Sequence, residues 1–176
     1  ITPMRHSYGQ TMEQTLNDVQ MPDFRRILEP APDNMAVMIT SGDVLLRFGG
    51  RLPPFPQADV IAMGMTVEPE QAEHFGVFFA CRDSGELARF LQKPSANIIR
   101  ELAARYAFLV DTGIWLMSER AVMMLMTRSG WNENRGDFDG GGARCYELYA
   151  GFGLSLGTEP AEADPEFSGL TSAVVS

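Results

Sequence analysis

Three short stretches of this chain carry residue types and spacings that suit chemistry. In Ser41-Gly42-Asp43 a carboxylate follows a short apolar run, with a glycine just before it. Ligands of open α/β sheets bind beyond the carboxyl ends of the strands, so Asp43 stands where phosphate groups and a Mg²⁺ bridging them would be met. Gly42 allows the backbone to approach closely; an ordinary polar turn accounts for the same residues. In Leu91-Gln92-Lys93-Pro94 a lysine is held at the end of a strand-like segment by the proline after it. It suits a phosphate or a ribose hydroxyl, or is simply exposed at a strand–helix junction. Lys93 is the single lysine in a chain otherwise supplied with arginine, and an ammonium is a compact point charge where a guanidinium is a planar fork. In Val110-Asp111-Thr112-Gly113-Ile114-Trp115, Asp111 is either a bulge former or an acceptor for a sugar hydroxyl. Gly113 would let a ligand lie against the backbone.

Other candidates point away from function. Gly140-Gly141-Gly142 follows no strand-like run and lacks the Lys-Ser/Thr of a P-loop, so it reads as loop. His6 and His74 have no Ser or Cys nucleophile pattern nearby. Cys81 and Cys145 fit no metal-ligand spacing and make no disulfide framework; two free thiols in a reducing cytoplasm are expected. Met117, Met123, Met124 and Met126 read as core filler.

The elements that must position these residues alternate irregularly. Residues 10–28 have helical periodicity interrupted at Pro22. Residues 35–39 form a continuous apolar run, as in a strand buried on both faces, and 44–48 extend past the turn that follows. Residues 51–56 are a stiff proline-rich connector, 58–67 a second apolar strand, and 68–74 a short helix or turn with Pro69 near its start. Residues 76–81 and 86–92 pair as strands around the tight connection Arg82-Asp-Ser-Gly85. Ser95 is the N-cap of a helix over 96–106. Strand-like 107–110 and 113–117 are separated by Asp111-Thr112, and Ser118 caps a helix running through Val122, Leu125 and Met126. A polar glycine-rich loop over 131–144, a helix over 146–156 and a last strand within 170–175 complete the pattern. One hairpin among crossovers predicts an α/β fold with a mixed sheet, without internal repeats or a domain boundary.

Bulk properties exclude several functions. Net charge is −9, with 14 basic and 23 acidic residues. Such a surface repels a phosphate backbone, so no nucleic-acid partner is expected, although a local cationic site can still take a nucleotide. No apolar run approaches the roughly 20 residues that span a bilayer, so no membrane partner is expected. The first residues form no signal peptide, and Ile1 in place of an initiator Met suggests an internal piece of a longer protein.

Taken in order, a strand ending in Gly-Asp, a hairpin ending in Lys-Pro and an Asp-x-Gly-Ile-aromatic strand resemble the sugar nucleotidyltransferases. The wording of Ile39-Thr-Ser-Gly-Asp-Val44, His74-Phe-Gly-Val77, Phe90-Leu-Gln-Lys-Pro-Ser95, Asp111-Thr-Gly-Ile-Trp-Leu-Met-Ser-Glu-Arg-Ala-Val122 and Tyr146-Glu-Leu-Tyr149 with Phe152-Gly-Leu-Ser-Leu-Gly-Thr158 resembles the L-fucose-1-phosphate guanylyltransferase family. So does Gly9-Gln10 with Gln20-Met-Pro22. The resemblance runs from about Ile1 to Thr158. It implies a Rossmann-like (GT-A-like) nucleotidyltransferase sheet, here a single partial domain over 1–176, and the joining of GTP and fucose-1-phosphate to GDP-fucose with loss of pyrophosphate. In bacteria such domains are often the N-terminal part of a bifunctional fucokinase/GDP-fucose pyrophosphorylase, so a covalently linked sugar kinase is an implied partner.

By that resemblance Asp43 holds the catalytic Mg²⁺ (or Mn²⁺) and Lys93 contacts the sugar-phosphate side. Asp111 and Gly113 line the sugar pocket, and Gly42 and Gln92 are substrate-binding. Gln92 stands where the wider class has Glu. A related transferase for another sugar-1-phosphate, or a non-catalytic nucleotidyltransferase-like module beside the kinase, are the competing readings. The class carries a basic glycine-rich loop after its first strand, then a Lys, that cradles the triphosphate; nothing here matches it. In the family this loop lies just before a segment like Ile1-Thr2-Pro3. The 176-residue chain alone is therefore expected to show little or no transferase activity, a point checked by turnover of GTP with fucose-1-phosphate.

Overall fold

The computed structural model describes residues 33–41 and 54–176. The helical pattern over 10–28, the run 44–48, His6, Gly42 and Asp43 lie outside the described residues. The rest is an α/β arrangement in which one long strand organises a mixed sheet with helices on its two faces.

The strands are β1 (Met35–Thr40), β2 (Val60–Met65), β3 (Gly76–Ala80), β4 (Leu87–Gln92), β5 (Ala107–Ser118) and β8 (Ser172–Val175). The order is β4-β3-β5-β2-β8, with β1 also paired to β5. β1, β2 and β3 run antiparallel to β5, and β8 runs parallel to β2. A separate ribbon pairs β6 (Trp131–Asn132) with β7 (Asp137–Phe138). The helices are α1 (Pro69–Ala72), α2 (Ala96–Ala103) and α3 (Glu119–Arg128).

Registers show how β5 is shared. Residues Ile114–Met117 pair with β1 through Thr40 to Val37, while Val110 pairs with Val77 of β3. β2 pairs with both halves, Val60 opposite Met117 and Met65 opposite Val110. β1 and β3 therefore lie end to end on one edge of β5, with β2 on the other. Asp111, Thr112 and Gly113 are left facing the split between them.

Each face of the sheet buries its own core. On one side Phe78, Phe90, Trp115, Met117 and Phe152 pack with Ala121 of α3. On the other, Val77, Phe79 and Val110 pack with Ile99 of α2 and Ala72 of α1, and Ile61, Met63 and Leu116 pack with Phe55. Serine caps start both longer helices: Ser95 Oγ accepts from the Ile98 N–H at 3.5 Å and Ser118 Oγ from that of Ala121 at 3.2 Å. Asp59 ties the layers together. Its carboxylate accepts from Ser118 Oγ and Thr171 Oγ1 at 3.0 Å and from Arg120 Nη1 at 2.9 Å. Among the described residues no helix is long and apolar enough to cross a membrane, and Cys81 and Cys145 are free and exposed.

Four elements differ from the sequence expectation. The two short strands around Asp111 are one strand, because β2 bridges both halves. The α2 helix ends at Ala103 rather than reaching Tyr106, since Ala107 is already taken into pairing with Ala80. The 131–144 loop contains the β6–β7 ribbon, closed by Arg135 bonded to Asp137 and Asp139. The 146–156 helix is reduced to a wide turn, Leu148–Phe152, followed by a 3₁₀ turn, Gly153–Ser155. Gly151 and Gly153 weaken a regular helix there, and both lie against aromatic rings, of Tyr146 and Phe90 respectively.

The open edge of β4 is closed by the segment after that turn. Thr158 N–H donates to Leu87 O at 3.1 Å and Glu159 N–H to Ala88 O at 2.8 Å, which blunts an edge otherwise open to aggregation. Gly157 makes this approach at φ +102°, where an added Cβ would sit 2.3 Å from Ala88 O. Gly157→Ala is expected to cost about 2–4 kcal/mol of stability, measured by chemical denaturation.

Candidate functional site

The split in the sheet is where the described sequence candidates, Gln92, Lys93, Asp111 and Gly113, collect. Gln92, the last residue of β4, pairs with Gly76, the first of β3. The register of β3 on β5 continues to place Gly76 beside Asp111, and a Cβ built on Gly76 would lie 3.5 Å from the Asp111 Cβ. On the other side Gly64 of β2 pairs with Asp111. Gln92, Gly76, Asp111 and Gly64 thus form one row across four strands. Directly opposed residues share a face of the sheet, so Gln92 and Asp111 stand on the same side, two strand spacings or about 10 Å apart. Both neighbours of Asp111 in the row are glycines, and at Gly64 the place of a side chain is taken by Leu109 and Val174. Phe90, one pleat back on β4, brings its ring tip over Gly76, within 2.5 Å of where a Cβ would be.

Lys93 follows directly on this row. Its backbone N–H donates to Phe75 O at 2.9 Å, and its φ of +47° is the one left-handed non-glycine conformation among the described residues. That conformation costs an ordinary residue about 1–2 kcal/mol. The strand-end hydrogen bond behind Lys93 and the buried Pro94 ahead of it hold the turn. Lys93 is exposed and makes no ion pair or hydrogen bond through its side chain among the described residues.

β1 reaches the split from the opposite direction. Ser41, two residues before Asp43, donates its N–H to Gly113 O at 2.7 Å. Gly113 has φ +74°, and an added Cβ would lie 2.5 Å from the Ser41 Cβ. A side chain there would push the two backbones apart, so glycine is required both by conformation and by proximity. Because β1 is antiparallel to β5 and β4 is antiparallel to β3, the carboxyl ends of β1 and β4 point toward each other across the split. Lys93 follows the end of β4, where the sequence places it; Asp43 lies outside the described residues.

β5 is bent where it crosses the split. Ala62 pairs with Trp115 but Gly64 with Asp111, so β5 spends four residues where β2 spends two. The excess is a bulge at 112–114. Thr112 turns in, 6% exposed, and donates Oγ1–H to Met63 O at 2.8 Å. The Asp111 carboxylate closes the bend from the other face: Oδ1 accepts from the Gly113 N–H at 2.8 Å and from the Trp115 indole N–H at 3.0 Å. Oδ2 accepts no hydrogen bond among the described residues. Asp111 is therefore both the bulge former and a half-free acceptor, the two readings its sequence context left open.

Burial dominates its ionisation. Removal from water pushes the Asp111 carboxyl up from 3.8 to about 6, against the hydrogen bonds of Gly113 and Trp115, which favour the charged form. Among the described residues no three His, Cys, Asp or Glu side chains converge to hold a metal ion.

Trp115, Ser41, Gly76 and Gly64 belong to this site and were not singled out individually from the sequence. In a flat strand Trp115 would lie about 13 Å from Asp111 along β5, and pairing partners on β1, β2 and β3 leave no local signal.

Over 179 aligned positions, 99% of this chain, the sequence is 40% identical to the L-fucokinase/L-fucose-1-P guanylyltransferase of Bacteroides fragilis. The chain spans 18% of that protein's length. No protein-family model matches the chain. The similarity therefore covers essentially the whole chain and matches it to part of an L-fucokinase/L-fucose-1-P guanylyltransferase.

The carboxyl at the split has a measurable cost. The folded protein keeps the Asp111 proton to about pH 6, whereas the unfolded chain releases it near 3.8. Its contribution to stability is thus full below pH 3.8 and is lost as pH rises to about 6. Asp111→Asn retains an oxygen for both donors and cannot ionise. Relative to wild type, it is expected to gain about 2–3 kcal/mol on going from pH 4 to pH 7, measured by denaturant unfolding at the two pH values.

Proposed function

We propose that this chain forms the sugar-phosphate side of an L-fucose-1-phosphate guanylyltransferase site, within a protein that makes GDP-fucose from GTP and fucose-1-phosphate. The observation that carries the reading is the meeting of Gln92, Lys93, Asp111 and Gly113 at one split in the sheet. These come from motifs about 18 positions apart in the chain, and they are the described residues that the family resemblance assigns to the substrate. The similarity to a named fucokinase/guanylyltransferase supports the same reading.

In this proposal an oxygen of fucose-1-phosphate attacks the α-phosphorus of GTP, the bond to the β-phosphate breaks, and pyrophosphate leaves. No protein nucleophile or proton transfer is needed, so the protein's task is positioning and charge neutralisation. Lys93, free of any carboxylate partner among the described residues, places a cation against the sugar phosphate in a chain of net charge −9. Asp111 accepts a hydroxyl of the sugar ring, and Gly113 lines the same pocket through its backbone. Gln92 supplies a neutral amide in the same row, which adds no negative charge beside the phosphate. Asp43 is the carboxylate proposed for Mg²⁺, which when bound would offset the phosphate charge. In this proposal the mixed sheet around β5 is part of a Rossmann-like nucleotidyltransferase core, with a sugar kinase as the covalent partner.

Asp43→Ala and Lys93→Ala, made separately in the longest natural polypeptide that carries this chain, test the reading. Each is expected to lower GDP-fucose synthesis about 100-fold or more while fucose phosphorylation by the same polypeptide is retained. If both variants make GDP-fucose at the normal rate, the catalytic role fails, and a non-catalytic module beside the kinase is the reading that remains.

A further inference from the structure

Trp115 is packed more tightly than its place in a strand requires. It is 1% exposed, with ring centroids of Phe78, Phe90, Tyr149 and Phe152 at 5.7, 5.8, 6.0 and 6.2 Å. Gly153 adds a further wall: a Cβ there would lie 3.2 Å from the indole. A ring bounded in this way has essentially one orientation. Its single polar atom, Nε1, donates to Asp111 Oδ1 at 3.0 Å.

The bulge does not need that bond. The Gly113 N–H already closes the turn onto the same Oδ1 at 2.8 Å, as a side chain of this type does in an Asx-turn. One donor leaves a carboxyl free to rotate about its Cβ–Cγ bond. Two donors from different directions, one backbone and one immobile ring, fix its plane. Both act on Oδ1, so the orientation they impose leaves Oδ2 as the acceptor without a partner among the described residues. The indole is also poorly placed to do this by accident: only the bulge at 112–114 brings it within reach of Asp111.

We propose that Trp115 is a positioning residue which, by donating its indole N–H to Oδ1, sets Asp111 Oδ2 to accept a ring hydroxyl of the sugar-1-phosphate. The inference rests on the guanylyltransferase reading above. Trp115 touches no substrate; it acts through Asp111, and its effect falls on recognition of the sugar rather than on the nucleotide or the phosphoryl step. Small errors in the direction of such an acceptor weaken binding sharply, because the hydroxyl must give up water to reach it.

The test uses the longest natural polypeptide carrying this chain, with L-fucose-1-phosphate and GTP varied separately. Trp115→Phe keeps most of the ring and deletes the donor. It is expected to raise KM for L-fucose-1-phosphate about tenfold while changing kcat and KM for GTP less than about twofold. Asp111→Asn keeps both donors on Oδ1 but turns Oδ2 into an N–H donor, and is expected to raise the same KM. As an independent readout, the Trp115 indole ¹H–¹⁵N resonance, assigned by its loss in Trp115→Phe, should move when L-fucose-1-phosphate saturates the wild type. An unchanged KM for L-fucose-1-phosphate in Trp115→Phe, or equal losses toward both substrates, overturns the positioning role while leaving the guanylyltransferase reading standing. Absence of both GDP-fucose synthesis and an L-fucose-1-phosphate response in the wild type overturns both.

Discussion

The bend in the middle of β5 is the constraint on which the other features depend. In this twelve-residue strand the bulge at 112–114 lies between the stretch that pairs with β3 and the stretch that pairs with β1. It is held from both faces, by Thr112 on Met63 O and by Asp111 on the Gly113 N–H. Gly113 is the residue that makes it possible, since its φ of +74° and its contact with Ser41 both exclude a side chain. From that bend follow the split in the sheet, the head-on approach of β1 and β4, and the row that joins Gln92 to Asp111.

The electrostatics of the split differ from those of the remaining surface. Elsewhere arginines meet carboxylates in exposed pairs, such as Arg135 with Asp137 and Asp139 or Arg100 with Glu70. Each exposed pair contributes little to stability. At the split the two charged residues are left without opposite charges among the described residues: Lys93 is exposed on a left-handed turn, and Asp111 is buried enough to hold its proton to about pH 6. Strained backbone and an ill-solvated carboxyl at one place are costs that packing alone does not explain, and perturbed carboxyls gather where ligands are handled.

The aromatic cluster beneath the split links the fold's stability to the geometry of the site. Phe78, Phe90, Trp115 and Phe152 are among the largest fully buried side chains and belong to one core, and the same Trp115 reaches the carboxylate. The wide turn at Leu148–Phe152 and the edge-closing segment after Gly157 support this cluster from outside the sheet. Distant parts of the chain are therefore needed to hold a carboxyl that is local in sequence to β5. Similarity to the B. fragilis protein extends over 99% of the chain, with these supporting segments included.

Local signals in the sequence determined much of this protein. Apolar runs marked β1 and β2, the Arg82–Gly85 turn marked the β3–β4 hairpin, and Ser95 and Ser118 marked the starts of α2 and α3, because turns and caps are made by neighbouring residues. The motifs at Lys93 and Asp111 were legible for the same reason: each is a few consecutive residues of unusual type. What the sequence alone left open was decided by pairing between distant segments. Two short strands became one because β2 bridges them, and the helix expected over 146–156 gave way to a turn packed on aromatic rings. Asp111, ambiguous between bulge former and acceptor, took both parts once Gly113 and Trp115 occupied one oxygen and left the other without a partner among the described residues. The contact between Asp111 and Trp115 has no signature in the spacing of the two residues, because a regular strand would keep them about 13 Å apart. Only the bulge, set by β1, β2 and β3 converging on β5, brings the indole to the carboxylate.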